Sequence, residues 1–271
     1  KSFGSLKEPI GMTEYIKFKY DIHYTGSKGN CVSIYYDNIA FMIDFGKPYK
    51  YIEPFLYDKQ FIFITHKHGD HLVYTTYKKI RENFPHIKIL SNQTVNEELV
   101  KRKLPEVDVI FEDDLEFQIG DLRFASIQNY HGAGEEYTET HGFIVQSPFQ
   151  NLLYATDLST TTDYQAYVDK HDLKIDVMLL EGNYDENVIA FYEETRVHTG
   201  YSIFANGSYR HLAISEYHNF CKVYANENAD LEMLHTSTTY GDFAGLMRTL
   251  NRNTPSKLTW EDIDAWRKKN E

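Results

Sequence analysis

Apolar and polar positions alternate in short runs from Tyr15 to Asp44. Ile16 to His23 is rich in β-formers, Gly26 to Asn30 supplies a turn, and Cys31 to Tyr36 and Ile39 to Ile43 flank Asp37-Asn38. The spacing predicts a meander of strands. Phe61-Ile62-Phe63-Ile64 is a continuous apolar run of strand length, which suits a strand buried on both faces. The period then becomes helical from Leu72 to Asn83, returns to strand at Ile87 to Leu90, and is helical again from Thr94 to Lys103, where Thr94 and Glu97 form a capping-box pattern. Leu115 to Ile119 and Leu122 to Phe124 alternate either side of Gly120-Asp121, the mark of a hairpin. Gly142 to Gln146 and Leu152 to Ala155, around Pro148, predict a second. Downstream, the pattern predicts a helix at Thr162 to Lys170, a strand at Ile175 to Leu180, a helix at His211 to Ala225, a strand at Leu231 to Leu234, and helices at Asp242 to Asn251 and Thr259 to Lys269. The stretch between Glu181 and His211 shows no period and reads as irregular.

Strands and helices mixed in this way predict an α/β fold in which sheets carry helices on their outer faces and functional residues lie at strand ends. Composition adds that 271 residues, 42% of them hydrophobic, can bury a large core without disulfides. We read residues 1–14 as an N-terminal arm and 15–271 as a single domain. With a mean hydropathy of -0.52 and apolar runs no longer than Val177 to Leu180 or Phe61 to Ile64, no membrane partner is expected. No secretory signal is visible, so the expectation is a cytoplasmic chain with Cys31 and Cys221 reduced. The formal charge of -12 argues against a surface coated in positive potential for indiscriminate nucleic-acid binding.

The dense chemistry lies in Thr65-His66-Lys67-His68-Gly69-Asp70-His71, directly after the buried apolar strand. Imidazole and carboxylate are the ligands that zinc, iron and manganese prefer, and four such groups in six residues point to metal rather than to an ordinary polar loop. This segment resembles the H-x-H-x-D-H signature of the metallo-β-lactamase superfamily. Within it, the chain is most similar to the tRNA-processing ribonuclease Z-like and bacterial exonuclease-like branches. The resemblance implies a four-layer αββα sandwich, two β-sheets flanked by helices. It also implies a first metal held by His66, His68 and His131, and a second held by Asp70, His71 and His235, with Asp157 bridging. His131 follows the strand at Leu122 to Ile127, and Asp157 ends Tyr154-Ala155-Thr156-Asp157. His211, His218 and His235 all lie in range for the last ligand. We assign His235, which ends a strand before Thr236-Ser237.

His211 precedes His235 by 24 residues, a spacing similar to that of the proton-donating histidine of those branches. It is assigned as general acid, with a metal ligand or a helix cap as the alternatives. Glu181, in Glu181-Gly182-Asn183, resembles an acidic strand end of the same branches and would orient His211; a solvated loop carboxylate is the other reading. Asp44 resembles the buried Asp that orients the histidine loop. Gly26-Ser27-Lys28-Gly29-Asn30-Cys31 resembles the turn that opens the fold. Histidines 23, 86, 141, 171, 198 and 218 have no partner pattern and are read as structural.

Two divalent ions, zinc with manganese or iron as alternatives, can share a water, lower its pKa toward neutrality and clamp a phosphoryl centre. The implied reaction is metal-dependent phosphodiester hydrolysis, with Asp70, His211 and Glu181 as its catalytic residues. The first substrate class is DNA or RNA; a cyclic-nucleotide phosphodiesterase is the alternative, and a diiron redox protein or a thioesterase of the same fold comes after it. Lactamases of the superfamily have Cys where this chain has Asp157. Glyoxalase-type thioesterases continue the signature with Gly-Gly where it has Leu72-Val73, and diiron oxygen reducers carry Glu where it has His68. Tyr184, Phe191, Tyr192, Tyr201, Phe204 and Tyr209, beside Arg196 and Arg210, could stack bases or simply pack. Lys78-Lys79-Arg81 and Lys101-Arg102-Lys103 read as solvated helix faces before they read as a nucleic-acid footing. A homodimer is left open.

Overall fold

The structure is a computed structural model that describes residues 16–113, 115–132, 138–195, 208–253 and 258–271. The chain opens with the antiparallel strands β1 (Lys19–Tyr24), β2 (Cys31–Tyr36) and β3 (Ile39–Ile43). It continues through α1 (Tyr49–Ile52), β4 (Phe61–Ile64), α2 (Tyr74–Asn83), β5 (Lys88–Ser91), α3 (Gln93–Lys101) and β6 (Val109–Ile110). These six strands stand in sequence order in one sheet, parallel from β3 onward. The second sheet begins with β7 (Glu116–Ile119), β8 (Leu122–Asn129), β9 (Thr140–Gln146) and β10 (Asn151–Ala155), all antiparallel. After α4 (Thr162–Lys170) it adds β11 (Ile175–Glu181), and after α5 (Glu186–Thr195) and α6 (Ile214–Tyr224) it adds β12 (Ala225–Leu234), both parallel to β10. The helices α7 (Phe243–Asn253) and α8 (Trp260–Asn270) follow.

Strand period sorts the side chains into layers. In β4, Phe63 points between the sheets while Ile62 and Ile64 pack under α1, α2 and α3; in β11, Val177 and Leu179 point inward while Met178 and Leu180 pack under α4 and α6. Strands covered on both faces have no polar side, which explains the continuous apolar runs. Between the sheets, the Phe63 ring lies 5.1 Å from those of Phe124 and Phe143. Helices on both outer faces complete the four-layer αββα sandwich. A fourth apolar cluster joins α5, α7 and α8 through Val188, Phe191, Leu246, Leu250 and Ile263.

The structure adds α1 and β6 to the periodicity reading and differs from it in several further places. The helix expected at Thr94 starts at Gln93, and its cap is Asn92, whose side chain accepts from Val95 N at 3.0 Å; Thr94 instead hydrogen-bonds Glu139. The helix expected at His211 starts at Ile214, so His211 lies before it and is not its cap. The irregular stretch after Glu181 contains α5, whose apolar residues are buried against α7 and α8 rather than against a sheet. Strand β12 begins at Ala225, six residues before Leu231, because an exposed edge strand needs no apolar alternation. Residues 1–14, His198, Arg196, Tyr201 and Phe204 lie outside the described residues. Cys31 and Cys221 are both unpaired and buried. Among the described residues, no helix is long and apolar enough to cross a membrane.

One close approach ties the first sheet to the histidine loop. Gly46, just past β3, donates its N–H to Asn30 O, and a Cβ at this position would come within 1.7 Å of the Asp70 carbonyl oxygen. Gly46→Ala should therefore cost about 3 kcal/mol. In thermal unfolding that is a fall of roughly 6–12 °C; an unchanged midpoint would show that the loop does not sit against Gly46.

Candidate metal centre

Except for His211, which precedes α6, the candidate site residues lie at or just past the C-terminal ends of strands. His66 comes after β4, His131 after β8, Asp157 after β10, Glu181 ends β11, and His235 comes after β12. Parallel packing of β10, β11 and β12 brings three of these ends to one edge, the place where open α/β sheets bind ligands. The turn from His68 to Leu72 is a single helical turn, with His71 N and Leu72 N both donating to His68 O, and it sets Asp70 and His71 beside the other ligands.

Ligand-type atoms converge there. His66, His68 and His131 offer nitrogens within 4.8 Å of one another, Asp70, His71 and His235 offer a carboxylate oxygen and two nitrogens equally close, and the groups His66, His71, Asp157 and Asp157, Glu181, His211, His235 link the two. Nε2 of His66 and Nδ1 of His68 are 3.0 Å apart. Asp157 lies between the sets, with Oδ1 3.6 Å from His131 Nε2 and Oδ2 2.8 Å from His71 Nε2 and 3.8 Å from His235 Nε2. Asp70 Oδ2 is 3.6 Å from both His71 Nε2 and His235 Nε2. The structure thus brings all seven sequence-predicted ligands together. His218 lies in α6, apart from them.

The electrostatics divide the cluster in two. Burial, with the neighbouring histidines, holds His66 well below the ordinary imidazole range, and burial likewise lowers His68 and His131; these rings stay neutral with lone pairs available. Burial also opposes charge on His71, but Asp157 and Asp44 outweigh it and push its pKa up to about 10. His235 is raised in the same way by Asp157, Asp70 and Glu181. Asp157 Oδ2 and His235 Nε2 are buried without a geometrically sound hydrogen bond among the described residues. A buried carboxylate oxygen and ring nitrogen left in this state fit a cation, which satisfies both, better than a direct pair.

Support comes from the surrounding residues. Asp44 is fully buried and accepts from His71 Nδ1 at 2.7 Å and from Thr65 N at 2.8 Å, so it holds both the His71 ring and the strand end. Glu181 is fully buried, which removes the solvated-carboxylate reading; it lies 2.7 Å from His211 Nδ1 and 3.0 Å from His235 Nδ1 and accepts from Leu158 N. Sequence reading missed Thr65 and Thr138, whose hydroxyls lie 2.9 Å from Asp44 Oδ2 and 3.3 Å from His68 Nε2. Thr138 sits in a loop with no period, and nothing in the sequence marked it. His141, read as structural, is buried and pairs with Asp113 at 2.5 Å.

Residues 44–211 match the family model of the β-lactamase superfamily domain. Among solved structures, the chain is similar to the metallo-β-lactamase fold protein YhfI from Bacillus subtilis (12% identity, 89% of this chain and 95% of that chain covered, TM-score 0.60). It is also similar to the short form of human tRNase Z (15% identity, 80% and 92% covered, TM-score 0.56) and to a diphosphatase of the PhnP family (15% identity, 90% and 95% covered, TM-score 0.57). At these identities the likeness is one of fold. A search of curated proteins finds no match. The family model spans more than half of the chain, across the signature and its supporting strands, and this protein belongs to the β-lactamase superfamily.

Proposed function

We propose that the chain is a metal-dependent phosphodiesterase. The observation that carries this reading is a carboxylate-held histidine set against two ligand groups: His211 Nδ1 lies 2.7 Å from Glu181 Oε1 and 3.8 Å from Asp157 Oδ1. His66, His68 and His131 would hold one ion, Asp70, His71 and His235 the other, with Asp157 between them. Divalent ions there would lower the pKa of a water toward neutrality and neutralise charge on a phosphoryl oxygen. Burial opposes charge on His211, but the Glu181 carboxylate and its hydrogen bond outweigh it and raise the imidazolium pKa. Because Glu181 accepts from Nδ1, Nε2 is the ring atom left to protonate a leaving oxygen. Glu181 stays ionised: burial raises its pKa, and His211 and His235 more than reverse this. One similar structure is named a tRNase and another a diphosphatase, names that point the same way.

For the substrate, specific contacts favour a small phosphodiester over a nucleic acid. In the basic runs Arg81 is paired with Asp108, and Arg102 is paired with Glu98 and lies over the Tyr74 ring. Tyr184, Phe191 and Tyr192 are buried in the α5–α7–α8 cluster and are spent on packing. Arg81, Arg102 and these three rings are therefore engaged within the fold rather than offered to a phosphate track or a stacking platform, while Tyr209 is exposed. Turnover of a small cyclic nucleotide should change little between about 50 and 200 mM salt, whereas a nucleic-acid substrate held by several phosphate contacts would lose affinity by about 10³ or more.

Hydrolysis of bis-p-nitrophenyl phosphate tests the chemistry. Turnover should vanish in Asp70→Ala and fall by about 10² in His211→Ala with both metals retained. Loss of an ion from His211→Ala would make that residue a ligand instead, and an inert wild type carrying two ions would overturn the phosphodiesterase reading. Metal should also stabilise the fold: returning Zn²⁺ to chelator-treated protein at 100 times its Kd should add about 2.7 kcal/mol. The thermal midpoint would rise by roughly 5–10 °C, and less in Asp70→Ala. A midpoint indifferent to zinc, manganese and iron would remove the metal assignment.

A further inference from the structure

Buried asparagines recur at the same strand ends as the candidate ligands, and each turns its side-chain amide onto a backbone carbonyl at or beside one of them. Asn30 Nδ2 lies 3.2 Å from Asp70 O, which also accepts from Asn30 N at 2.7 Å. Asn92 Nδ2 donates at 3.1 Å to the carbonyl of Thr65, the residue before His66. Asn129 Nδ2 donates at 2.7 Å to the carbonyl of Thr156, the residue before Asp157. Asn183 Nδ2 donates at 2.6 Å to the carbonyl of His235 itself. None of the four is more than 7% exposed. In three of them Oδ1 is also engaged, accepting from Gly26 N, Val95 N and the Tyr164 hydroxyl, which settles which way the amide faces.

The backbone explains the need. Asp157 and His235 have φ of +57° and +55°, a conformation costly for residues with a Cβ, and the chain leaves the sheet ladder there. Carbonyls buried in such turns need a donor from outside the ladder. An asparagine amide reaches them without adding charge, whereas a lysine or arginine would set a positive group beside a centre that must accept cations.

We propose that Asn30, Asn92, Asn129 and Asn183 are positioning residues, each setting the backbone of one ligand-bearing turn. Asn183 is the most consequential, because it joins three segments. Its amide holds His235 O, its N–H donates to Leu212 O beside His211, and its carbonyl accepts from Ser237 N. Loss of the amide would loosen the ring of His235 relative to Asp70 and His71 without touching His66, His68 and His131. This inference rests on the metal reading above.

The test is a calorimetric Zn²⁺ titration of chelator-treated wild type, Asn183→Leu, Asn183→Asp and Asn96→Leu, with thermal unfolding of each metal-free chain. Asn96 is the control, a buried asparagine of α3 whose amide serves Glu106 and Val107, away from the ligands. The expected result is two ions on the wild type and a 10- to 100-fold weaker affinity for one of them in the Asn183 variants, of the order second-layer losses show. Asn96→Leu should lower the unfolding midpoint and leave both affinities unchanged. Should the leucine variant not fold, Asn183→Asp keeps the shape, removes the donor and carries the test. Unchanged affinities in a folded Asn183 variant, or an equal loss in Asn96→Leu, would overturn the positioning role. A wild type that takes up no Zn²⁺ would overturn the metal reading itself.

Discussion

The site is organised around the buried carboxylate of Asp157. It is 3% exposed, yet its pKa is driven well below the usual carboxylate range, because His235 and His71 on one side and His66 on the other outweigh the cost of burial. An ionised group in such a place needs opposite charge from several directions. The ends of β4, β8 and β12 supply histidines on different sides of it, so the sheet topology and the electrostatics require one another.

That arrangement demands unusual backbone. Asp44, Asp157 and His235 all adopt positive φ at strand ends, a conformation that costs on the order of 1–3 kcal/mol each unless the surroundings impose it. The surroundings do impose it here. Thr65 donates backbone and hydroxyl groups to Asp44, Asn129 serves the carbonyl before Asp157, and the Thr25 hydroxyl accepts from His235 N. Asp37, Lys103 and Asp172 share this conformation elsewhere, but at Asp157 and His235 it sets candidate ligands, and there the fold gives up stability for geometry.

The helical cluster of α5, α7 and α8 extends the same edge. Its backbone is joined to the site by hydrogen bonds from Asp185 N to Tyr240 O and from Ile214 N to Tyr184 O. Beside this cluster, His211 lies between Glu181 and Asp157.

The sequence by itself determined the layered α/β plan and pointed to metal-binding chemistry at the Thr65–His71 run, for a physical reason. Strand and helix periods are local, and the Thr65–His71 run is so dense in imidazole and carboxylate that spacing alone identifies it. His131, Asp157 and His235 came from the resemblance to the metallo-β-lactamase superfamily, which implies ligands just past later strands. Only the tertiary structure decided the rest. Helix α5 carries its apolar positions against two other helices, and β12 is an exposed edge, so neither shows the pattern of a sheet-packed element. Glu181 could not be told from a surface carboxylate until its burial against His211 and His235 was seen, since burial depends on residues 30 and 54 positions away. The asparagines escaped notice for the same reason: a side-chain amide has no period, and its meaning lies in the carbonyl it reaches across the fold.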